Sequence, residues 1–239
     1  MQTAIQLYTL RHVDEPTAAR IARVGDAPFD GVEFAGAPDD DAPGALADAG
    51  LSAAAAHVGI EELENRLPAV ADACEAADCS TVVVPYLDAA AFESAAAVEE
   101  TARRLTAVGD ALADRGLRLA YHNHDHEFTD LGDDTGFELL VERLGDAVAI
   151  ELDLGWALAA GQDPTALLSR IGTVPLVHLK DVDAETATPV ELGAGDLDVD
   201  GCAAAARDAG VEWLVYEHDD PSEPLTSLSR GAETLADLR

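Results

Sequence analysis

The 239-residue chain carries 47 Asp+Glu against 14 Lys+Arg, giving a formal net charge of -33 and a pI near 4.1. Hydrophobic residues make up 48% of it, enough for a sizeable core, so the acidity does not signal disorder. No apolar run approaches the ~20 residues of a membrane span. The first residues, MQTAIQLYTLRHVDEP, lack a basic leader and an apolar stretch, and Cys74, Cys79 and Cys202 form no CxxC pair; both features fit a reducing cytoplasm.

Short apolar runs alternate with longer helical stretches, and no linker divides them. Strand 3–10 leads to a helix over 16–26, strand 31–35 to 42–49, strand 51–58 to 61–78 and strand 81–86 to 91–115. Strand 118–124 then leads to helix 135–145, strand 148–154 to 164–171, strand 174–180 to 200–209 and strand 211–217 to 225–238. Asp163-Pro164 reads as an N-cap followed by the first helical residue, and Gly50, Gly116 and Gly210 stand where helices should stop. In LSAAAAHV at 51–58 the alanine run suits a helix as well as a strand. Units of roughly 30 residues match one βαβ step. Strict alternation calls for a parallel sheet with helices outside, and eight such units close most simply into a single (β/α)8 TIM barrel over 1–239. An open doubly wound sheet is disfavoured because no GxGxxG follows the first strand.

The acids are scattered through every predicted element, and Lys180 is the chain's one lysine. This distribution reads as a halophilic solvation shell, and with no basic stripe it argues against nucleic acid as a partner. At molar salt the Debye length shrinks to ~3 Å and mutes self-repulsion. The thermal unfolding midpoint is therefore expected to climb steeply between low and molar KCl. A flat midpoint over that range would assign the acids to a specific cationic partner instead.

Active sites of such barrels lie at the C-terminal ends of the strands, and the polar residues collect there. Glu33 lies near the end of the second strand and His57 ends the third. His122 and His124 end the fifth, Glu151 and Asp153 the sixth, His178 and Lys180 the seventh, and Glu217 the eighth. Each pair shares a face, since side chains alternate along a strand. Imidazoles and carboxylates converging from four successive strands form a mixed N/O set suited to a divalent first-row metal, with Mn²⁺, Co²⁺ or Zn²⁺ ahead of Ca²⁺.

YHNHDHEF at 121–128, ELDLGWALAAGQDP at 151–164, VHLKD at 177–181, LGAGDLD at 192–198 and VYEHD at 215–219, together with GVEFAG at 31–36, resemble the sugar phosphate isomerase/epimerase family of xylose isomerase-like barrels. The resemblance implies a metal-dependent barrel acting on a small sugar, ketose or polyol-ketone, phosphorylated or not; Asp196 and Asp198 in the glycine-bearing loop 192–198 argue against phosphate binding there. It implies His122, Asp153, His178 and Glu217 as ligands of a divalent ion, Mn²⁺ first and Co²⁺, Zn²⁺ or Mg²⁺ as alternatives. Glu217, Lys180 and Glu151 are the candidate catalytic groups; Glu33, His57, His124 and Trp156 are the candidate substrate contacts. The family's ketose epimerases carry a glutamate where this chain has His122, so their two-glutamate mechanism does not transfer directly. Glu127, Glu151, His124 or Lys180 are left as candidates for the second proton-transfer group. An inosose-type dehydratase and a non-catalytic sugar-binding barrel are the alternatives. The related abasic-site endonucleases carry a histidine where this chain has Trp156, which argues against a nuclease.

Overall fold

The computed structural model describes residues 1–238. Its strands are β1 (Gln2–Gln6), β2 (Gly31–Phe34), β3 (Ser52–His57), β4 (Thr81–Val84), β5 (Arg118–His122), β6 (Val148–Asp153), β7 (Leu176–Leu179), β8 (Asp181–Asp183), β9 (Thr188–Val190) and β10 (Trp213–Tyr216). Strands β1 to β7 and β10 close into a parallel barrel in the order β1-β10-β7-β6-β5-β4-β3-β2, while β8 and β9 form a separate antiparallel pair. The helices are α1 (Thr17–Gly25), α2 (Ala42–Ala49), α3 (Ile60–Ala76), α4 (Ala95–Ala113), α5 (Gly136–Arg143), α6 (Leu154–Ala159), α7 (Pro164–Arg170), α8 (Val199–Asp208) and α9 (Pro224–Asp237). The expected (β/α)8 TIM barrel is thus the fold.

Local chemistry explains the boundaries. Asp163 caps α7 by accepting from the amides of Thr165 and Ala166 ahead of Pro164, and Thr135 with Glu138 forms a reciprocal capping box on α5. The chain turns left-handed at Gly50, Gly116 and Gly210, as expected where helices stop. The alanine run of β3 is a strand because pairing with β2 and β4 overrides its helical propensity. Helix α6 and the strands β8 and β9 go beyond the elements that the sequence predicts. Helix α6 has only six residues and follows β6 without a loop. The β8–β9 pair has three residues per strand, too few for a readable alternation.

The two faces of the barrel sheet carry different side chains. Large aliphatic and aromatic residues such as Phe92, Leu105, Leu112 and Tyr216 belong to the core cluster that takes in the surrounding helices. The inward-facing cluster is small: Ala4, Ala54, Ala55, Val83, Ala120, Ala149, Leu176, Trp213 and Val215. Residues two positions further along the same strands are Gln6, His57, His122, Glu151, His178 and Glu217, so period-2 alternation directs them inward above this floor. Trp213 fits within the narrow barrel because its neighbour is glycine. A Cβ on Gly31 would stand 2.9 Å from two Trp213 ring atoms and 2.5 Å from the Ser52 carbonyl oxygen. Gly31→Ala is therefore expected to cost about 1–3 kcal/mol of stability through overpacking, read as a lower denaturant midpoint at unchanged slope.

Cys74, Cys79 and Cys202 are all free and buried, consistent with small core residues. Among the described residues, no helix is long and apolar enough to cross a membrane.

Candidate metal centre and active-site cavity

A cavity of about 550 Å³ opens above the polar layer, and His57, His122, His124, Trp156, Lys180 and Glu217 are among the residues lining it. Asp153 and His178 are fully buried and do not line the cavity, yet both belong to the group His122, Asp153, His178 and Glu217, whose possible ligand atoms all lie within 4.8 Å of one another. Strand register makes this possible. Asp153 pairs with His178, which pairs in turn with Val215, two residues before Glu217, while His122 pairs with Glu151.

Each histidine ring is held by a carboxylate on one nitrogen and faces a second carboxylate with the other. His122 Nδ1 lies 2.9 Å from Glu151 Oε2, leaving Nε2 3.7 Å from Asp153 Oδ2. His178 Nε2 lies 2.6 Å from Glu33 Oε2, leaving Nδ1 2.9 Å from Glu217 Oε2. Outer carboxylates of this kind fix the ring orientation of metal-binding histidines. Glu33 and Glu151 are buried, do not line the cavity, and share His57, whose Nε2 stands 2.8 Å from Glu151 and 3.2 Å from Glu33. Gln6 Nε2 donates to Glu33 at 2.8 Å. The structure brings Glu33 and Glu151, expected as substrate-binding and catalytic, against these imidazole rings and outside the cavity lining.

Asp153 is divided between two tasks. Its Oδ1 accepts from the Trp156 amide at 2.8 Å and so caps α6. Its Oδ2 is buried and has no hydrogen bond; Lys180 Nζ lies 3.1 Å away but without hydrogen-bonding alignment. Asp153 Oδ2, which has Lys180 as its ion partner but no hydrogen bond, stands beside two imidazole nitrogens and a second carboxylate, a donor set that fits a divalent cation. A second group, His57, His122, Glu151 and His178, is equally close. It brings a single carboxylate, and its ring nitrogens lie 2.8, 2.9 and 3.2 Å from Glu151 Oε2, as donors to one acceptor would. The first group is accordingly the candidate metal centre.

Burial opposes charge throughout this layer, and the neighbours decide the outcome. Burial pushes the Asp153 carboxyl up to about 6 against the pull of Lys180 and His178. Burial also acts on Glu217, but Lys180 and His178 outweigh it and hold the carboxyl well below its usual range. For His57 burial loses to the Glu33 and Glu151 carboxylates, which raise the imidazole to about 10. Burial of Lys180 is likewise overcome by Asp153, Glu217 and Asp219, so the ammonium stays charged. Close approach seats this lysine, because a Cβ on Gly155 would run into the Lys180 backbone carbonyl.

Other residues singled out by the sequence have structural tasks. Glu127 is buried, accepting from the Tyr121 hydroxyl at 2.7 Å and the His124 amide at 2.8 Å, and does not line the cavity. Asp181, which follows Lys180, accepts from the amides of Val182, Gly193, Gly195 and Leu197 and so anchors the glycine loop. That link joins HLKD to LGAGDLD and was not visible in either motif alone.

A family model described as the xylose isomerase-like TIM barrel matches residues 21–238. The chain belongs to that family, a family of enzymes. It is 29% identical over 160 residues to the rhizopine catabolism protein MocC of Rhizobium meliloti, a match covering 58% of this chain and 49% of that protein. The match thus spans about half the length of that relative. Among solved structures it is similar to a sugar phosphate isomerase/epimerase from Parabacteroides distasonis, with TM-score 0.85, 18% identity, and coverage of 98% of this chain and 93% of that one. It is also similar to a probable 3-DHS dehydratase, AsbF, from Bacillus anthracis, with TM-score 0.80, 14% identity and 99% of both chains covered.

Proposed function

We propose that the chain is a divalent-metal-dependent isomerase or epimerase of a small ketose or polyol-ketone, working by proton transfer next to the carbonyl. The observation that carries this reading is the set His122, Asp153, His178 and Glu217 gathered at the base of a cavity with Lys180 beside it. When bound, a divalent ion there would supply Lewis-acid polarisation of the substrate's oxygens.

Glu217 is the base. Its Oε2 is engaged by His178 Nδ1 and Lys180 Nζ, both at 2.9 Å, while Oε1 carries no hydrogen bond and the residue lines the cavity. The ionised carboxylate takes the proton from the carbon beside the carbonyl, and the electron pair of that C–H bond moves toward the carbonyl oxygen. Lys180 offers its charge where oxygen becomes negative and can return a proton. Lys180 is paired with Glu217 at 2.9 Å and so stands on the same side of the substrate. A proton returned from that side to the neighbouring carbon, as the hydroxyl on the first carbon gives up its own proton to become the new carbonyl, isomerises the substrate. Epimerisation requires a donor on the opposite face. Departure of a β-hydroxyl as water makes the same abstraction a dehydration. The dehydratase among the similar solved structures favours keeping that lyase outcome as the second reading.

A screen of Mn²⁺-loaded protein against ketoses and inososes in D₂O, followed by NMR, tests the proposal. Deuterium is expected on the carbon next to the carbonyl of at least one compound. Absence of exchange across the panel would favour a sugar-binding barrel without catalysis. The acidic composition supports a halophilic setting, and the three free, buried cysteines support a reducing, cytoplasmic location.

A further inference from the structure

Charge at the cavity mouth narrows the substrate class. The lining holds the carboxylates of Glu62, Glu217 and Asp219, and Lys180 but no arginine. The ammonium of Lys180 is already matched by Glu217 at 2.9 Å, Asp219 at 3.0 Å and Asp153 at 3.1 Å. Arg66 is committed to Glu62 at 3.0 Å, and Arg11 to Asp220 at 3.2 Å. The glycine loop offers no phosphate cradle, since Asp181 takes the amides of Gly193 and Gly195 at 2.8 and 3.0 Å. Apart from the divalent ion proposed at the cavity base, which the carbonyl end of the substrate would occupy, a phosphate at the mouth meets like charge with no unpaired side-chain cation, which is unfavourable.

Two uncharged groups on the same lining do lack partners. His124 Nδ1 and Trp156 Nε1 are buried atoms without a hydrogen bond. Their rings stack at 5.7 Å and 27°, so both belong to one wall of the cavity. A buried polar atom left unpaired is costly, and a hydroxyl on the ligand removes that cost. We infer that, within the activity proposed above, the substrate is an uncharged polyhydroxylated ketone whose hydroxyls bond His124 Nδ1 and Trp156 Nε1, and that the mouth rejects phosphorylated sugars.

Calorimetric titration of the Mn²⁺-loaded protein tests this with D-fructose, D-ribulose and 2-keto-myo-inositol against D-fructose 6-phosphate and D-ribulose 5-phosphate. At least one uncharged ketone is expected to bind on the order of 10²-fold more tightly than either ester. Trp156→Phe and His124→Phe keep the aromatic wall and should each weaken that ketone by roughly 3- to 10-fold. Asp219→Asn, which releases part of the hold on Lys180, should narrow the preference. The inference is overturned if an ester binds as tightly as the uncharged ketones, if no uncharged ketone binds, or if both ring variants bind like wild type. Arg20 supplies the control: its Nε is buried without an acceptor, in a cavity of about 160 Å³ that shares Ala35 and Gly36 with the main one. Ester binding lost in Arg20→Ala would put a phosphate there and overturn the inference. Selective ketone binding without deuterium exchange would leave the inference standing and remove the proposed chemistry. Exchange with the esters alone would do the reverse.

Discussion

Replacing Glu217 with glutamine is expected to slow deuterium exchange into the substrate by ~10²-fold or more, in line with the contribution of a general base. Substrate affinity should change far less, because a base acts in the transition state. The expectation rests on one carboxylate oxygen being tied to His178 and Lys180 while its twin is free on a cavity-lining residue. Glutamine keeps the shape and removes the charge. Since Glu217 is also a proposed metal ligand, occupancy is measured on the same sample. A metal-loaded Glu217→Gln variant exchanging at the wild-type rate would remove Glu217 as the base and direct attention to Lys180 and His124, which also line the cavity.

Asp153→Asn is expected to lose the metal and, with it, turnover. The loss of affinity should exceed the ~10- to 100-fold typical of changes outside the ligand sphere. Asparagine retains an oxygen that can cap α6 in place of Asp153 Oδ1, so the helix stays in place while an uncharged amide NH2, which cannot ligate a cation, replaces Oδ2. Asp153→Ala also removes the cap, and should melt lower by about 1 kcal/mol of stability beyond the asparagine variant. Glu99→Gln is the control: this exposed acid of α4 contacts Arg143 at 4.0 Å, does not line the cavity, and should leave metal content unchanged. Retention of one ion per chain by Asp153→Asn would show that the cation is held by other groups.

Much of this was legible in the chain because a parallel barrel maps sequence position onto depth. Apolar strands ending in HNH, ELD, HLK and YEH place chemistry at the C-terminal rim, and period-2 alternation tells which residues share a face. Alternation alone does not tell which inward residue touches substrate. Glu151 and Asp153 share a face, yet register sets Glu151 against His122 and Leu176 while Asp153 meets His178. One therefore lies against the rings of His57 and His122, and the other joins the candidate centre. Glu33 follows a register shift between Val32 and Glu33 in the β2–β3 pairing, a local irregularity that propensity does not announce. Helix α6 is not legible in the sequence because six residues give too little periodicity, and Asp153, its N-cap, serves equally well as a candidate ligand. The anchoring of the glycine loop by Asp181 is a tertiary contact across 12 to 16 positions, beyond what either motif encodes by itself.

The most direct test of the account combines elemental analysis with exchange on one preparation. Protein stripped by chelator is expected to be inert toward its ketone in D₂O, and to regain exchange in proportion to added Mn²⁺, saturating at about one ion per chain as a single four-residue centre requires. Metal-free protein that exchanges at the full rate would contradict it.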